Sequence, residues 1–153
     1  MSTVLNRYAN QDLFIAKNHH QVLGDFVSRS EGDERPFSRQ VDAWWAAMTL
    51  GVRQGRRTPL PPEVTKFNDG GILSSDPWRI THLELLAIAE AGPEVLERPP
   101  EVIRIASEYA HTGFPDLLNH LVGQVEPTLN LMMRLDELAG ASGGSTASPN
   151  AVG

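Results

Sequence analysis

The residues best suited to binding chemistry lie between positions 41 and 62, where two adjacent tryptophans are followed by three arginines. Guanidinium groups bind carboxylates and phosphates through paired hydrogen bonds. A surface tryptophan is a frequent anchor of protein–protein contacts. We therefore predict a site for an anion or a protein partner in this segment. Its residues are Trp44, Trp45, Arg53, Arg56 and Arg57.

Both residue types also have a purely structural explanation. The arginines follow a helix whose end is marked by two glycines, and cations at a helix C-terminus offset the helix dipole. Trp44 lies on the same predicted helical stripe as Val41 and Met48, and Trp45 lies beside it. At least one tryptophan is therefore expected in the core. The other is an anchor for a partner unless both are buried.

No motif in the chain predicts catalysis, a metal or a cofactor. Cysteine is absent, the nucleophile motif G-x-S-x-G is absent, and residues 51–57 lack the spacing of a P-loop. Glu108 and His111 form a single E-x-x-H pair, whereas di-iron helical bundles use two such pairs with further glutamates. We therefore predict a non-enzymatic protein. An enzyme would need a pocket in which Glu108, Tyr109 and His111 converge.

Length and composition are those of one globular domain. The chain has 153 residues, of which 41% are hydrophobic and 21% are charged. It contains no apolar run of about 18 residues, and its first residues do not form a secretory signal. The absence of cysteine fits a reducing compartment. We expect a cytoplasmic protein that does not cross a membrane.

The distribution of charge limits the role of nucleic acid. The net charge is −6, with 9 basic and 8 acidic residues in positions 1–70, and 4 basic and 11 acidic in positions 71–153. Phosphate repulsion disfavours nonspecific binding, and the best two-helix candidate for a DNA-reading unit, residues 76–112, is acidic. A weak DNA contact through the Arg53–Arg57 turn is the alternative, and it would make the protein a small DNA-binding or regulatory module.

Hydrophobic periodicity predicts an all-α fold, a compact bundle of five or six helices. We divide the chain into a flexible N-terminus (1–10), a single helical domain (11–139) and a disordered tail (140–153). The helix from Trp78 to Ala91 is apolar nearly all round, which predicts a central position. The first predicted helix covers residues 11–28, the second follows an N-cap at Ser38, and the third begins at Asp76-Pro77. The fourth runs from Pro99-Pro100 to His111-Gly113. Two more begin at Pro115 or Asp116 and at Pro127.

Two groups of short motifs between residue 37 and about residue 121 resemble a known family. A leucine-glycine step ends one helix and is followed by a Gly-Arg-Arg-x-Pro-Leu turn, and later a Glu-Tyr-Ala segment precedes a glycine and a leucine pair. At His111-Thr112 the chain departs from the small polar residue and glycine of that family. The matching residues are Leu50-Gly51, Gly55 to Leu60, Glu108 to Ala110, Gly113 and Leu117-Leu118.

The chain resembles the dnd system-associated proteins, small proteins encoded beside DNA phosphorothioation modification and restriction clusters. The resemblance implies an accessory component of a bacterial DNA-modification or anti-phage defence system, acting by binding a larger protein partner. The acidic second half could dock on a basic protein. A leucine-rich helix surface would also allow a homodimer.

Overall fold

The computed structural model describes residues 5–143 and shows five α-helices with a small two-stranded sheet. The predicted bundle of helices is confirmed. Residues 1–4 of the predicted flexible N-terminus and residues 144–153 of the predicted tail lie outside the described part. The elements are β1 (Asp12–Ala16), α1 (Lys17–Leu23), α2 (Gln40–Gln54), β2 (Val64–Asp69), α3 (Pro77–Ala91), α4 (Pro99–Asn119) and α5 (Pro127–Gly143), with short 3-10 turns at Gly24–Phe26, Gly70–Ser75 and Pro93–Glu97.

The centre of the fold is a direct backbone contact between α2 and α4. A Cβ atom added to Gly113 of α4 would overlap the Ala47 carbonyl oxygen and lie 2.8 Å from the Gly51 nitrogen. A Cβ atom on Gly51 would in turn overlap the carbonyl oxygen of Tyr109. Glycine has no side chain, so these two helices approach more closely than any larger residue would permit.

The sheet replaces part of a predicted helix. We predicted one helix over residues 11–28, but Asp12–Ala16 is a strand that pairs antiparallel with β2, with Ile15 opposite Thr65. Within β1, Leu13 and Ile15 are buried on one face, which is the alternation of a strand. Five residues are too few to distinguish this period from that of a helix. The helix that does form, α1, begins only at Lys17.

The chain before β1 belongs to the core. Tyr8 is fully buried, and the Asn6 side-chain amide donates hydrogen bonds to the Gly70 carbonyl at 2.8 Å and to the Ser74 hydroxyl at 2.9 Å. These bonds fasten the start of the chain to the 3-10 turn after β2. The part of the predicted flexible segment that is described therefore packs against the domain.

Helix α4 continues where we predicted a break. The sequence His111-Thr112-Gly113 was expected to end a helix and Pro115 to begin another, but α4 runs unbroken to Asn119. Proline inside a helix removes one backbone hydrogen bond. Burial of Phe114, Leu117 and Leu118 on both sides of the proline offsets that loss.

Helix α3 is peripheral, so the prediction of a central position is wrong. Its inner face buries Ile80, Leu83 and Ala87, whereas Trp78 is 49% exposed and Leu85 is 60% exposed. The central helix is α4, which is buried along most of its length. Within residues 5–143, no helix has the length and apolar character needed to span a bilayer.

Candidate functional site

The two adjacent tryptophans of α2 have different environments, and at least one of them lies in the core, as expected. Trp44 is 1% exposed and packs in the core, where its ring centroid lies 6.0 Å from that of Phe67. Trp45 is half-buried and faces α3, where its ring is nearly perpendicular to the Trp78 ring, with the two ring centroids 5.4 Å apart. Trp45 is therefore the member of the pair that is available to a partner.

A buried arginine fixes the positions of Trp45 and Trp78. The guanidinium carbon of Arg79 lies 5.2 Å from the centre of the Trp45 ring and 5.1 Å from that of Trp78. Arg79 is 8% exposed, and its Nη2 donates to Asp42 at 3.0 Å. Within residues 5–143, its Nε and Nη1 have no hydrogen-bond partner. The electron-rich faces of the two indoles stabilise the charge there.

A second arginine completes this network at its outer side. Arg39 donates to Asp42 at 2.9 Å and to Asp76 at 2.8 Å, so it connects α2 to the residue before α3. The hydrogen bond from Arg39 lowers the pKa of Asp76, which keeps that carboxylate charged. Asp76 precedes α3 as predicted, but its side chain makes this ion pair and does not cap the helix.

An apolar cleft lies between α2 and α3 beside this network. It has a volume of about 180 Å³ and is lined by Trp45, Met48, Thr49, Val52, His82 and Leu86. On α3, the exposed residues Trp78, His82 and Leu85 follow the spacing i, i+4, i+7 and therefore share one face of the helix. We call the cleft together with Trp78 and Leu85 the aromatic cleft. Sequence analysis missed its α3 half, because α3 was placed in the interior.

The three arginines of the predicted site are not gathered into one anion site. Arg57 Nε lies 3.7 Å from a carboxylate oxygen of Glu90 and 3.7 Å from one of Glu108. Arg53 donates to the Leu138 carbonyl of α5 at 3.0 Å. Arg56 is exposed, and within the described chain it makes no ion pair or side-chain hydrogen bond. Arg56 therefore keeps its charge available to a ligand.

Thr58 attaches the turn after α2 to α4. Its hydroxyl lies 2.7 Å from that of Thr112, and its backbone N–H donates to the Glu108 carbonyl at 3.3 Å. The Glu108 carboxylate is buried beneath Arg57 and Arg104. The two groups of motifs that carry the family resemblance therefore contact each other, and these contacts give many of their residues a structural role.

Glu108, Tyr109 and His111 point to different neighbours and do not converge in one pocket. Glu108 faces Arg57 and Arg104, and the Tyr109 hydroxyl donates a hydrogen bond to Glu90. The ring centroids of His111 and His19 lie 5.1 Å apart. Burial, with a smaller contribution from Glu90, raises the pKa of Tyr109 to about 12, so the phenol stays protonated at neutral pH. Residues 5–143 contain no cluster of three or more histidine, aspartate or glutamate side chains suited to a metal ion.

From the partly buried histidine pair, His19 and His111, we expect the stability of the fold to depend on pH. Burial lowers the pKa of both His19 and His111 below the usual 6.5, and His111 adds a smaller repulsive contribution at His19. The Nδ1 atoms of both rings are buried and have no hydrogen-bond partner in the described part of the chain. Below about pH 6.5 the unfolded chain therefore takes up protons that the folded chain does not, which favours unfolding.

We expect the free energy of unfolding, measured with urea, to fall between about pH 7 and about pH 5. His111→Phe should reduce this fall, because it removes one buried group that the unfolded chain protonates first. His82→Asn is the matched control, because it removes an exposed histidine. An equal pH dependence in all three proteins would show that the pair does not control this transition.

Comparison with known proteins identifies no relative of this chain. No protein-family model, no curated protein and no solved structure matches the chain.

Proposed function

We propose that this protein is a non-enzymatic accessory subunit that binds an amphipathic helix of a larger protein in the aromatic cleft. The observation that carries the proposal is the exposed stripe Trp78, His82 and Leu85 beside a cleft that already contains Trp45. Exposed apolar surface of this kind marks a protein contact. Trp78 and Leu85 are the apolar members of this stripe, and anchors spaced at i, i+4 and i+7 on one helix face are the pattern of helix–helix recognition.

The size of the cleft supports a protein partner over a small molecule. Its volume of about 180 Å³ is smaller than the roughly 300–1,000 Å³ typical of sites that enclose a ligand. A cleft of this size accepts one or two apolar side chains. The surrounding surface of α2 and α3 then supplies the remaining contact area.

The rigidity of the cleft also favours binding. Trp45 and Trp78 are held against Arg79, and Arg79 is held by Asp42 and Asp76. Side chains that are already ordered lose little conformational entropy when a partner binds. Aromatic residues in such settings supply much of the energy of an interface.

The family resemblance suggests the biological setting, an accessory role in a bacterial DNA-modification or anti-phage defence system, with a neighbouring gene product as the larger partner. The alternative, a small DNA-binding module that uses Arg53–Arg57, has less support. Arg57 is paired with two carboxylates, and Arg53 donates to the chain's own backbone. That alternative would require a salt-dependent shift of duplex DNA.

The test is co-expression of the full chain with the product of each neighbouring gene, followed by measurement of the affinity of any purified complex. Leu85→Glu should weaken that complex about tenfold or more, because it places an unpaired charge in the apolar contact. Val125→Glu is the matched control, because Val125 is 98% exposed and does not line the cleft. Equal affinity of both variants, or no complex with any product, would refute the proposal.

A second copy of the chain is another candidate occupant of exposed apolar surface. Helix α5 leaves Leu129, Met132 and Met133 exposed, and a dimer could cover them. The molar mass in solution separates the two cases. A dimer that Leu85→Glu dissociates would assign the aromatic cleft to self-association instead of to a different protein.

A further inference from the structure

The connection between α2 and β2 has an exposure pattern with a period of three residues. Arg56, Pro59 and Pro62 are exposed, whereas the two residues in each interval between them are partly buried. The sequence of this segment is Arg-Arg-Thr-Pro-Leu-Pro-Pro. Three residues per turn is the repeat of a polyproline II helix, and in that conformation the three exposed residues would lie along one edge.

The composition of the segment favours this conformation. Each proline has φ fixed near −65°, and a residue that precedes proline is restricted to the β or polyproline II region. The first rule fixes φ at the three prolines, and the second restricts Thr58, Leu60 and Pro61, each of which precedes a proline. The chain therefore enters this conformation at little entropic cost, whether or not a partner is bound.

The inner side of the segment is attached to the domain. Arg57 lies beside Glu90 and Glu108, and Thr58 is bonded to Thr112 and to the Glu108 backbone. These contacts use only the inward residues. They orient the opposite edge, formed by Arg56, Pro59 and Pro62, toward solvent, and we call this edge the proline ridge.

We propose that the proline ridge is a docking site for a partner domain that reads polyproline II helices through an aromatic-lined groove with a carboxylate at one end. Such grooves accept two prolines spaced by three residues on one edge of the ligand. The carboxylate would pair with Arg56, which has no acidic partner among the described residues. The spacing Arg-x-x-Pro-x-x-Pro places the charge one helical turn before the first proline.

This docking site is separate from the aromatic cleft, and either one can fail without the other. If the segment were only a rigid connector, substitutions on its outer edge would change neither partner binding nor stability. Only the inward contacts, such as those of Thr58, would then matter for the fold. The two explanations therefore differ in what the outer edge does.

The probe is an isotope-labelled SH3 domain that binds Arg-x-x-Pro-x-x-Pro peptides, titrated with the full chain and followed by chemical-shift changes. We expect the groove resonances to shift, and Arg56→Glu to weaken binding about tenfold or more, since a charge-assisted pair becomes a repulsion. Pro59→Ala should also weaken binding. The matched control is Arg29→Glu, which reverses the charge of an exposed arginine outside the ridge and should leave the affinity unchanged.

A synthetic peptide of residues 54–65 completes the experiment. The proposal holds if the folded chain binds at least as tightly as this peptide, because the fold pre-orders the ridge. Binding of the peptide alone would show that the fold hides the ridge, and binding of neither would show that the sequence is not read. Each of these two results would overturn the proposal, as would equal binding of Arg56→Glu.

Discussion

Gly113→Ala is expected to lower the free energy of unfolding by about 2–4 kcal/mol, and Gly51→Ala by a similar amount, because each adds a methyl group where two helix backbones touch. The new Cβ at position 113 would overlap the Ala47 carbonyl oxygen and come within 2.8 Å of the Gly51 nitrogen. These neighbours are backbone atoms, so no side-chain rotation relieves the overlap. Helices α2 and α4 would have to move apart and lose contact along their length.

The sign of this effect separates packing from helix propensity. Alanine is favoured over glycine inside a helix by about 1 kcal/mol, so propensity alone would make both variants more stable. Gly140→Ala is the matched control, because Gly140 lies inside α5 and no described atom comes within 4 Å of its Cβ position. We expect that variant to be as stable as the parent or more so.

Urea unfolding of the three variants under one set of conditions measures the difference. A stability of Gly113→Ala equal to that of the parent would mean that α2 and α4 do not approach each other as described. If Gly140→Ala lowered the free energy of unfolding by as much as Gly113→Ala, the destabilisation would not come from the α2–α4 contact.

Gly113 also shows why the sequence misled us about α4. Glycine and proline usually end helices, so His111-Thr112-Gly113 followed by Pro115 predicted a break. Gly113 instead provides the close approach to α2, and the buried residues after it keep the helix continuous. Local rules describe a residue's effect on its own helix. They do not include a second helix from a distant part of the chain.

Helix α3 shows the corresponding limit for burial. Its beginning at Asp76-Pro77 was predicted correctly, because that signal is local. Its position was not, since an apolar helix can be covered by its own domain or left for another molecule. Leu85 is exposed because no described element packs against that face. The exposed outer face of α3 is therefore both the reason why its predicted central position is wrong and a part of the candidate site.

The candidate site was predictable only in part. The i, i+3, i+7 spacing of Val41, Trp44 and Met48 marked the inner stripe of α2, and all three are buried. The partners of Trp45 come from α3, more than thirty positions later in the chain. Single-sequence reasoning has no signal for such pairing. For the same reason it could not predict that Arg57 would face Glu90 and Glu108.

The adjacent tryptophans allow the division between core and site to be measured. Trp44→Ala should lower the free energy of unfolding by about 3–5 kcal/mol, because it leaves a large cavity among fully buried side chains. Trp45→Ala should cost less, about 1–2 kcal/mol, because Trp45 is half-buried and loses mainly its contacts with Arg79 and Trp78.

For partner binding we expect the reverse order, with a larger loss of affinity for Trp45→Ala than for Trp44→Ala. At a temperature where both variants remain folded, Trp45→Ala should weaken the complex with the partner about tenfold or more, because it removes a wall of the aromatic cleft. Trp44→Ala should bind nearly as well as the parent, since its ring does not line the cleft. Each protein therefore serves as the control for the other. If Trp44→Ala lost affinity and Trp45→Ala did not, α2 would present the opposite face to its partner, and the aromatic cleft would have no role in binding.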